Sequence, residues 1–288
     1  MGSHEVHSKS GGGMIAMDYP PSYHLLRDLG VWLERDERGS RAGLEIDEHL
    51  CSPNAGVRSG VIATLVDVIG GATATRAVRP GWVATCDLVL HLVSAVRKGP
   101  ILAGFNLLRQ GKSTVVIETE ITAPPQQRTI AHATLTFSVL EARNDMQRID
   151  ERADQPRVHF GGANEGLDEP LVDRLGCRIL DAETGRVELE LNAYNSNTLG
   201  AVQGGALAIL ADVAAESAGR AAGRPDWVTT DLTIHYLALG RHGPIRTTTR
   251  LLRSLPASAL VRVEIRDAGA ADRLVCVATA TVEAAHFV

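Results

Sequence analysis

Hydrophobic and polar positions follow the same order in the two halves of the chain. In the first half, residues 43–47 alternate between apolar and polar side chains, as in a strand with one buried face. Apolar residues then recur at helical spacing over residues 59–79, and Pro80-Gly81 marks the end of this predicted helix. The second half shows the same helical pattern over residues 204–223. Each half is therefore predicted to begin with a strand that leads into a helix.

Both predicted helices contain many Ala and Gly residues and are apolar around most of their circumference, which predicts burial on nearly all sides. Four strand patterns follow the helix in each half. In the second half they cover about residues 227–239, 245–255, 259–267 and 274–284. A buried helix followed by four long strands predicts an α+β fold, in which an antiparallel sheet wraps around one long central helix.

The chain contains an internal duplication. Residues 85–91, Thr-Cys-Asp-Leu-Val-Leu-His, return 144 positions later as residues 229–235, Thr-Thr-Asp-Leu-Thr-Ile-His, and Gly99-Pro100 returns as Gly243-Pro244. This period is much longer than the roughly 20–50 residues of solenoid repeats. We therefore predict two similar repeats packed as a pseudo-dimer, with the two helices side by side beneath one continuous sheet.

The polar stretches between these patterns predict the domain boundaries. Residues 1–20 are interpreted as a disordered leader without the apolar core of a secretion signal. The first repeat is predicted over residues 21–141 and the second over residues 167–288. Residues 142–166 between them are polar and weakly periodic, which is typical of a linker.

Composition excludes several classes of protein. The 288 residues carry a formal net charge of −5 and contain no basic run, so we expect no nucleic-acid binding. No apolar stretch reaches the roughly 18 residues of a membrane span, so none is expected. The four cysteines show neither CxxC nor metal-ligand spacing, which favours reduced cysteines in a cytoplasmic protein without a metal site.

One aspartate interrupts each apolar helix. Asp67 lies between two valines and Asp212 lies between Ala211 and Val213. Burying a carboxylate is costly unless another group pairs with it. Each aspartate could face a solvated stripe of its helix, but its occurrence at the matching place in both halves favours a functional role.

The beginning of each helix is the second candidate feature. The second helix begins with Gln203-Gly204-Gly205, and glycines there leave backbone N–H groups accessible at the positive end of the helix dipole. Such amides can stabilise an oxyanion, although glycine could also serve only close packing. The first helix begins with Arg58-Ser59-Gly60, and its loop from Asn54 is two residues shorter than the loop from Asn197.

These residues resemble the phenylacetyl-CoA-type acyl-CoA thioesterases of the hotdog superfamily. That family has an Asn, a short loop, His-Gly-Gly, an aspartate nine residues after the His, and a Ser or Thr in the next strand. Both halves keep the spacing of nine, from Arg58 to Asp67 and from Gln203 to Asp212, with the histidine replaced. The resemblance covers both repeats and implies a tandem, or double, hotdog.

The resemblance also implies roles for individual residues. Asp67 and Asp212 would act as general base or nucleophile, the amides of Gly204 and Ser59 would stabilise the oxyanion, and the hydroxyls of Thr85 and Thr229 would orient the water. The substrate-binding residues implied are Asn54, Arg58, Asn197, Gln203 and Gly205.

Because the family builds its site between two subunits, a fused pair is expected to contain two unlike sites. One would combine Asn197, Gln203 and Gly204 with Asp67 and Thr85. The other would combine the corresponding residues, which are Asn54, Arg58, Ser59, Asp212 and Thr229. We expect the first site to carry most of the activity, because a glycine leaves its helix-start amide open.

The expected activity is hydrolysis of acyl-CoA thioesters by a homodimer of double-hotdog chains, with coenzyme A as part of the substrate and without a metal or redox cofactor. One alternative is a hotdog enoyl-CoA hydratase or dehydratase, which needs a histidine paired with an acid. His91 and His235 lie in the middle of strands, so we expect a structural or surface role for them. The other alternative is a non-catalytic acyl or acyl-CoA binding protein.

Overall fold

The computed structural model describes residues 19–36, 39–53, 55–141, 156–161, 166–223 and 226–284. The elements of the first repeat are α1 (Leu25–Asp28), β1 (Trp32–Asp36), β2 (Gly39–Ile46), a 3-10 turn (Glu48–Leu50), α2 (Ser59–Ala77), β3 (Trp82–Leu92), β4 (Gly99–Gln110), β5 (Thr114–Ala123) and β6 (Arg128–Leu140). Strand β7 (Arg157–His159) follows. The second repeat contains α3 (Leu171–Leu175), β8 (Arg178–Asp181), β9 (Arg186–Leu189), α4 (Gly204–Ala221), β10 (Trp227–Tyr236), β11 (Ile245–Ser254), β12 (Ser258–Asp267) and β13 (Arg273–Ala284).

All of these strands form one sheet in the order β7-β1-β2-β4-β5-β6-β3-β10-β13-β12-β11-β9-β8. Neighbouring strands pair antiparallel throughout. The two repeats meet where β3 pairs with β10, with Val89 opposite Thr233 at the middle of the seam. Six strands on either side of this seam follow an equivalent order, and β7 adds a seventh at the edge of the first repeat. The molecule is therefore a double hotdog with an approximate two-fold axis between β3 and β10.

The central helices α2 and α4 lie in contact beneath this sheet, as the duplication predicted. Two glycines allow the close approach. A Cβ on Gly60 would lie 2.5 Å from Cα of Ile209, and a Cβ on Gly205 would collide with the side chain of Thr64. Most of both helices is buried, including the aliphatic residues of α2 from Val61 to Val66. The apolar circumference read in the sequence is therefore explained by burial between the sheet and the second helix.

Two boundaries differ from the predicted ones. Residues 157–159 of the predicted linker form the edge strand β7, which pairs with β1, because a three-residue strand held by a distant partner leaves no periodic signal. Tyr19 and Pro20 of the predicted leader belong to the fold, where the ring of Tyr19 packs edge-on against His24 at 5.1 Å between centroids. The rest of the leader, residues 1–18, and residues 142–155 and 162–165 of the linker lie outside the described residues.

Two features of the described residues concern the predictions about membrane spans and cysteines. None of the helices has both the length and the hydropathy that crossing a membrane would require. All four cysteines are present as free thiols.

Candidate functional site

A cavity of about 520 Å³ opens between the two repeats. One wall is the face of α2 that carries Asp67, together with the first half of β3. The opposite wall is the loop from Asn197 to Gln203 and the first residues of α4, and residues of α1, β1 and β7 close another side. Most of these side chains are aliphatic or aromatic, so the cavity is an apolar space with a few polar groups, as in many ligand sites.

Asp67 is the carboxylate of this cavity. The hydroxyl of Thr85 donates a hydrogen bond to its Oδ1 atom at 2.7 Å, and the side chain is 9% exposed. Burial raises the pKa of Asp67 from 3.8 to about 6, against the opposing effect of the Thr85 hydrogen bond. A carboxyl group with this pKa can accept and return a proton near neutral pH.

The beginning of α4 lies directly against this carboxylate. A Cβ added to Gly204 would lie 2.5 Å from Oδ2 of Asp67, so any side chain at this position would displace the carboxylate. As the first residue of the helix, Gly204 presents an N–H group that no carbonyl of the helix can accept. The structure therefore brings together Asp67 and Thr85 of one repeat with Gly204 of the other.

Two further predicted residues organise the loop before α4. The side-chain oxygen of Asn197 accepts hydrogen bonds from the amides of Leu199 (2.9 Å) and Ala201 (3.1 Å). Gln203 is the N-cap of α4, and its side-chain oxygen accepts the amide of Ala206 at 3.1 Å. Both residues line the cavity, and both hold the backbone that positions Gly204.

Gly205 has a different place from the one the resemblance implied. It faces Thr64 across the contact between α2 and α4 and is not part of the cavity lining. The second glycine of the motif therefore serves the approach of the two helices.

Sequence reasoning missed two tyrosines of the cavity, Tyr19 and Tyr236. The hydroxyl of Tyr236 donates to the carbonyl oxygen of Gly204 at 3.2 Å. Burial, and secondarily the nearby charge of Asp67, raise the pKa of both phenols. The sequence could have pointed to Tyr236, because it is 144 positions after Leu92, so the two repeats differ here by a tyrosine at the end of β10 and a leucine at the end of β3.

The second predicted site contains a buried ion cluster. Nη1 of Arg58 lies 2.9 Å from Oε2 of Glu216 and 3.9 Å from Oδ2 of Asp212. Glu216 also accepts hydrogen bonds from Ser52 at 2.6 Å and from Arg220 at 3.0 Å. Asp212 has no exposed surface, and Arg58 and Glu216 are 5% and 1% exposed. The predicted substrate ligand Arg58 is therefore paired with the buried carboxylate of Glu216 and lies close to that of Asp212.

Ser59 and Thr229 of this site are also enclosed. The hydroxyl of Ser59 donates to the carbonyl oxygen of Thr229 at 2.6 Å, and the amide of Gly60 donates to Asp212 at 3.2 Å. Burial and the neighbouring Glu216 raise the pKa of Asp212, while Arg58 opposes them. The nearby hydroxyl of Thr229 also opposes the rise in the pKa of Asp212. Within the described part of the chain, neither this hydroxyl nor Oδ1 of Asp212 makes a hydrogen bond of standard geometry.

The two loops before the helices have equal lengths, so the predicted difference of two residues is wrong. An isolated bridge joins Cys51 to Val57 in one repeat and Ser196 to Val202 in the other, with the same spacing. Ser52 therefore occupies the place equivalent to Asn197. The sequence comparison had matched asparagine with asparagine, whereas backbone pairing determines the equivalence. Asn54 itself lies outside the described residues.

His91 and His235 lie on the outer side of the sheet, away from the cavity. Nδ1 of His91 is 2.7 Å from Asp231, and Nδ1 of His235 is 2.5 Å from Asp87. These pairs cross the seam between the repeats and are about half exposed. Their place agrees with the predicted surface role.

Comparisons with known proteins agree with the architecture of two repeats. The family model described as the thioesterase superfamily matches residues 59–130 and 199–273, one segment in each repeat and just over half of the chain. None of the curated protein sequences matches this chain.

Several solved structures share the fold. A protein of Novosphingobium aromaticivorans described as a thioesterase is 14% identical with a TM-score of 0.60, and the match covers 88% of this chain and 98% of that one. The tesB protein of Mycobacterium avium subspecies paratuberculosis is 13% identical with a TM-score of 0.57, covering 87% and 94%. The 12:0-ACP thioesterase of Umbellularia californica is 10% identical with a TM-score of 0.54, covering 84% and 93%. At these identities the likeness concerns the fold.

Proposed function

The chain belongs to the thioesterase superfamily, and we propose that it hydrolyses acyl-CoA thioesters in the cavity that contains Asp67. One observation carries this proposal. A buried carboxylate with a pKa near 6 lies directly against the helix-start glycine of the other repeat. This pair supplies a base and an adjacent oxyanion donor that line the same cavity.

The geometry supports a simple division of labour in the reaction. Oδ1 of Asp67 is held by Thr85, so Oδ2, the atom beside Gly204, is available for chemistry. It removes a proton from water, the water oxygen bonds to the thioester carbon, and the amide of Gly204 stabilises the oxyanion. The C–S bond then breaks, and the coenzyme A thiolate takes the proton from Asp67.

The carboxylate could instead attack the thioester carbon itself and expel the coenzyme A thiolate, which forms an anhydride. Water then cleaves the anhydride, and the proton released in this step goes to the thiolate. Single-turnover hydrolysis in ¹⁸O-labelled water reveals the second route when water cleaves the anhydride at the Asp67 carbonyl. General-base attack places the label directly in the released acid. In the nucleophilic route, water that attacks the anhydride at the Asp67 carbonyl leaves its label on Asp67. The released acid of the first turnover then contains an unlabelled oxygen that came from the Asp67 carboxylate.

Release of free thiol from a panel of acyl-CoA substrates tests the proposed function. We expect continuous release, its loss in Asp67→Asn, and no need for added metal or redox cofactor. Addition of water to an enoyl-CoA without thiol release would favour a hydratase, although no histidine is among the described residues that line the cavity. Saturable binding without either reaction would favour a binding protein. Acyl carrier protein thioesters form a further arm of the same panel.

We also propose a cytoplasmic homodimer formed through the outer face of the sheet. Glu118 on β5 and Arg262 on β12 lie at equivalent places on either side of the seam, at the level of Val89 and Thr233. A two-fold axis along the seam would place each glutamate opposite an arginine of the second chain. Sedimentation should show a dimer that Arg262→Glu weakens and that the double change Glu118→Arg with Arg262→Glu restores. A monomeric wild-type protein would contradict this assembly.

A further inference from the structure

The face of α2 that lines the cavity continues well beyond the reactive carboxylate. After Asp67 the lining residues of this helix are Val68, Gly71, Ala72 and Thr75, which lie on one side of the helix. Eight residues of helix span about 12 Å, roughly the length of an extended chain of eight to ten carbons. The small side chains at positions 71 and 72 leave this length open.

The other repeat shows what larger side chains do at the same positions. The residues of α4 equivalent to Gly71, Ala72 and Thr75 are Glu216, Ser217 and Arg220. Glu216 and Arg220 are paired with each other, and Arg58 joins them. Glu216 and Ser217 are both buried. The duplication therefore offers an internal comparison, in which one helix face is open and the equivalent face is filled by its own ion cluster.

The walls opposite this stretch of α2 are mostly apolar, with Arg35 of β1 as the charged residue among them. Phe137 of β6, Trp82 and Val83 of β3, Leu33 of β1 and Val158 of β7 line the cavity together with it. Such walls suit a hydrocarbon chain, because every methylene placed there leaves water.

On the basis of the proposed function, we propose that an unbranched aliphatic acyl chain lies along α2 from Asp67 towards Thr75, and that Gly71 determines the chain length the site accepts. A Cβ at Gly71 would lie 3.8 Å from Cε1 of Phe137, which is an ordinary contact. Position 71 therefore accepts a Cβ atom without a clash. A side chain the size of leucine would reach into the path of the acyl chain.

The test compares kcat/KM over acyl-CoA substrates from butyryl to dodecanoyl. In the wild-type protein we expect kcat/KM to rise by up to about fourfold per added methylene, as for burial of CH₂ groups, and to level off at medium length. Gly71→Leu should lower the ratio of decanoyl to butyryl kcat/KM by at least about tenfold, because several methylenes lose their place. Gly71→Ala should shift the ratio in the same direction by less.

A matched control places the same side chain elsewhere on the helix. Arg76 is exposed on α2 and is not part of the cavity lining, so Arg76→Leu should keep the wild-type ratio. Melting temperatures establish that each variant is folded, and Gly71→Ala carries the test if Gly71→Leu does not fold. The inference is overturned if neither Gly71→Leu nor Gly71→Ala lowers the decanoyl-to-butyryl ratio of kcat/KM. It is also overturned if they lower this ratio no more than Arg76→Leu does.

The outcomes for this inference and for the proposed function are distinguishable. Thiol release with an unchanged length preference in the Gly71 variants overturns the inference alone. Absence of thiol release from every substrate overturns the proposed function, and calorimetric binding of free fatty acids of graded length then decides the inference. An affinity that rises with chain length in the wild-type protein and not in Gly71→Leu supports it, and equal affinities in both overturn it.

Discussion

Asp67 and Asp212 occupy equivalent places in the two helices but have opposite surroundings. Asp67 borders an open cavity, whereas Asp212 has no exposed surface and lies beside Arg58. Asp67→Asn keeps the shape of the side chain and removes the base, so we expect thioester hydrolysis to fall by at least about 10²-fold. Asp212→Asn should change it by less than about threefold. Coenzyme A release, with circular dichroism as the check on folding, measures both, and the reverse order would contradict the assignment of the site.

The raised pKa of Asp67 predicts opposite pH dependences for activity and stability. Activity should rise with pH through about 6, because the base is the ionised form. The folded pKa lies above the ordinary value of 3.8, so the contribution of this group to stability is complete below pH 3.8 and is lost as pH rises through about 6. The loss is on the order of 3 kcal/mol.

This sign can be read from melting temperatures of wild type and Asp67→Asn. The variant lacks the ionisation, so its melting temperature relative to wild type should increase between pH 4 and pH 7.5. A difference that stays constant or decreases over this range would show that Asp67 ionises without a cost from burial.

Tyr236 is expected to position Gly204 through the hydrogen bond to its carbonyl oxygen. Tyr236→Phe removes this bond and keeps the ring, so kcat should fall by about two- to tenfold, with a smaller change in KM. Tyr23→Phe is the matched control, because Tyr23 is 52% exposed and does not line the cavity. Equal kinetics of the two variants would assign Tyr236 a packing role only.

At the scale of elements, the first two residues of α4 have different roles, because Gly204 borders the proposed catalytic carboxylate and Gly205 allows the two helices to pack closely. Gly204→Ala keeps the backbone N–H but should place a methyl group against Oδ2 of Asp67 and displace this carboxylate, so we expect the rate to fall by about 10²-fold with little loss of stability. Gly205→Ala should collide with Thr64 on α2 and lower the free energy of unfolding by about 1–3 kcal/mol. Kinetics and urea unfolding of both variants check this, and a Gly204→Ala protein with full activity would contradict the site.

At the scale of the whole molecule, the ion cluster around Arg58 holds the two repeats together at the place where the second site would be. Arg58→Met removes the cation beside the buried carboxyl groups of Asp212 and Glu216 and leaves Arg220 as a partner of Glu216 alone, so the free energy of unfolding should fall by about 3–5 kcal/mol. Hydrolysis by the folded variant should change little, because the cluster belongs to the closed site. Urea unfolding is the measurement, with Arg76→Met as an exposed control. A large loss of kcat without loss of stability would indicate that the second site works.

Much of this architecture follows from local properties of the chain. The duplication, the two buried helices and the antiparallel strands could be predicted, because periodicity of side chains and residue type reflect burial directly. The spacing from Gln203 to Asp212 and from Arg58 to Asp67 also pointed to both helix starts and both aspartates. A spacing of nine positions along one helix is a local property, so it can be recognised from the sequence alone.

Only the tertiary structure decided which of the two equivalent places is open. Gly71 and Glu216 differ by one side chain at matching positions, but the effect of that side chain depends on Arg58, Ser52 and Arg220, which come from separate parts of the sequence. The walls of the cavity likewise come from Tyr19, β7 and the end of β10. Contacts between residues far apart in the chain leave no periodic pattern, so the enclosure of Asp212 and the accessibility of Asp67 emerge only when the two repeats pack.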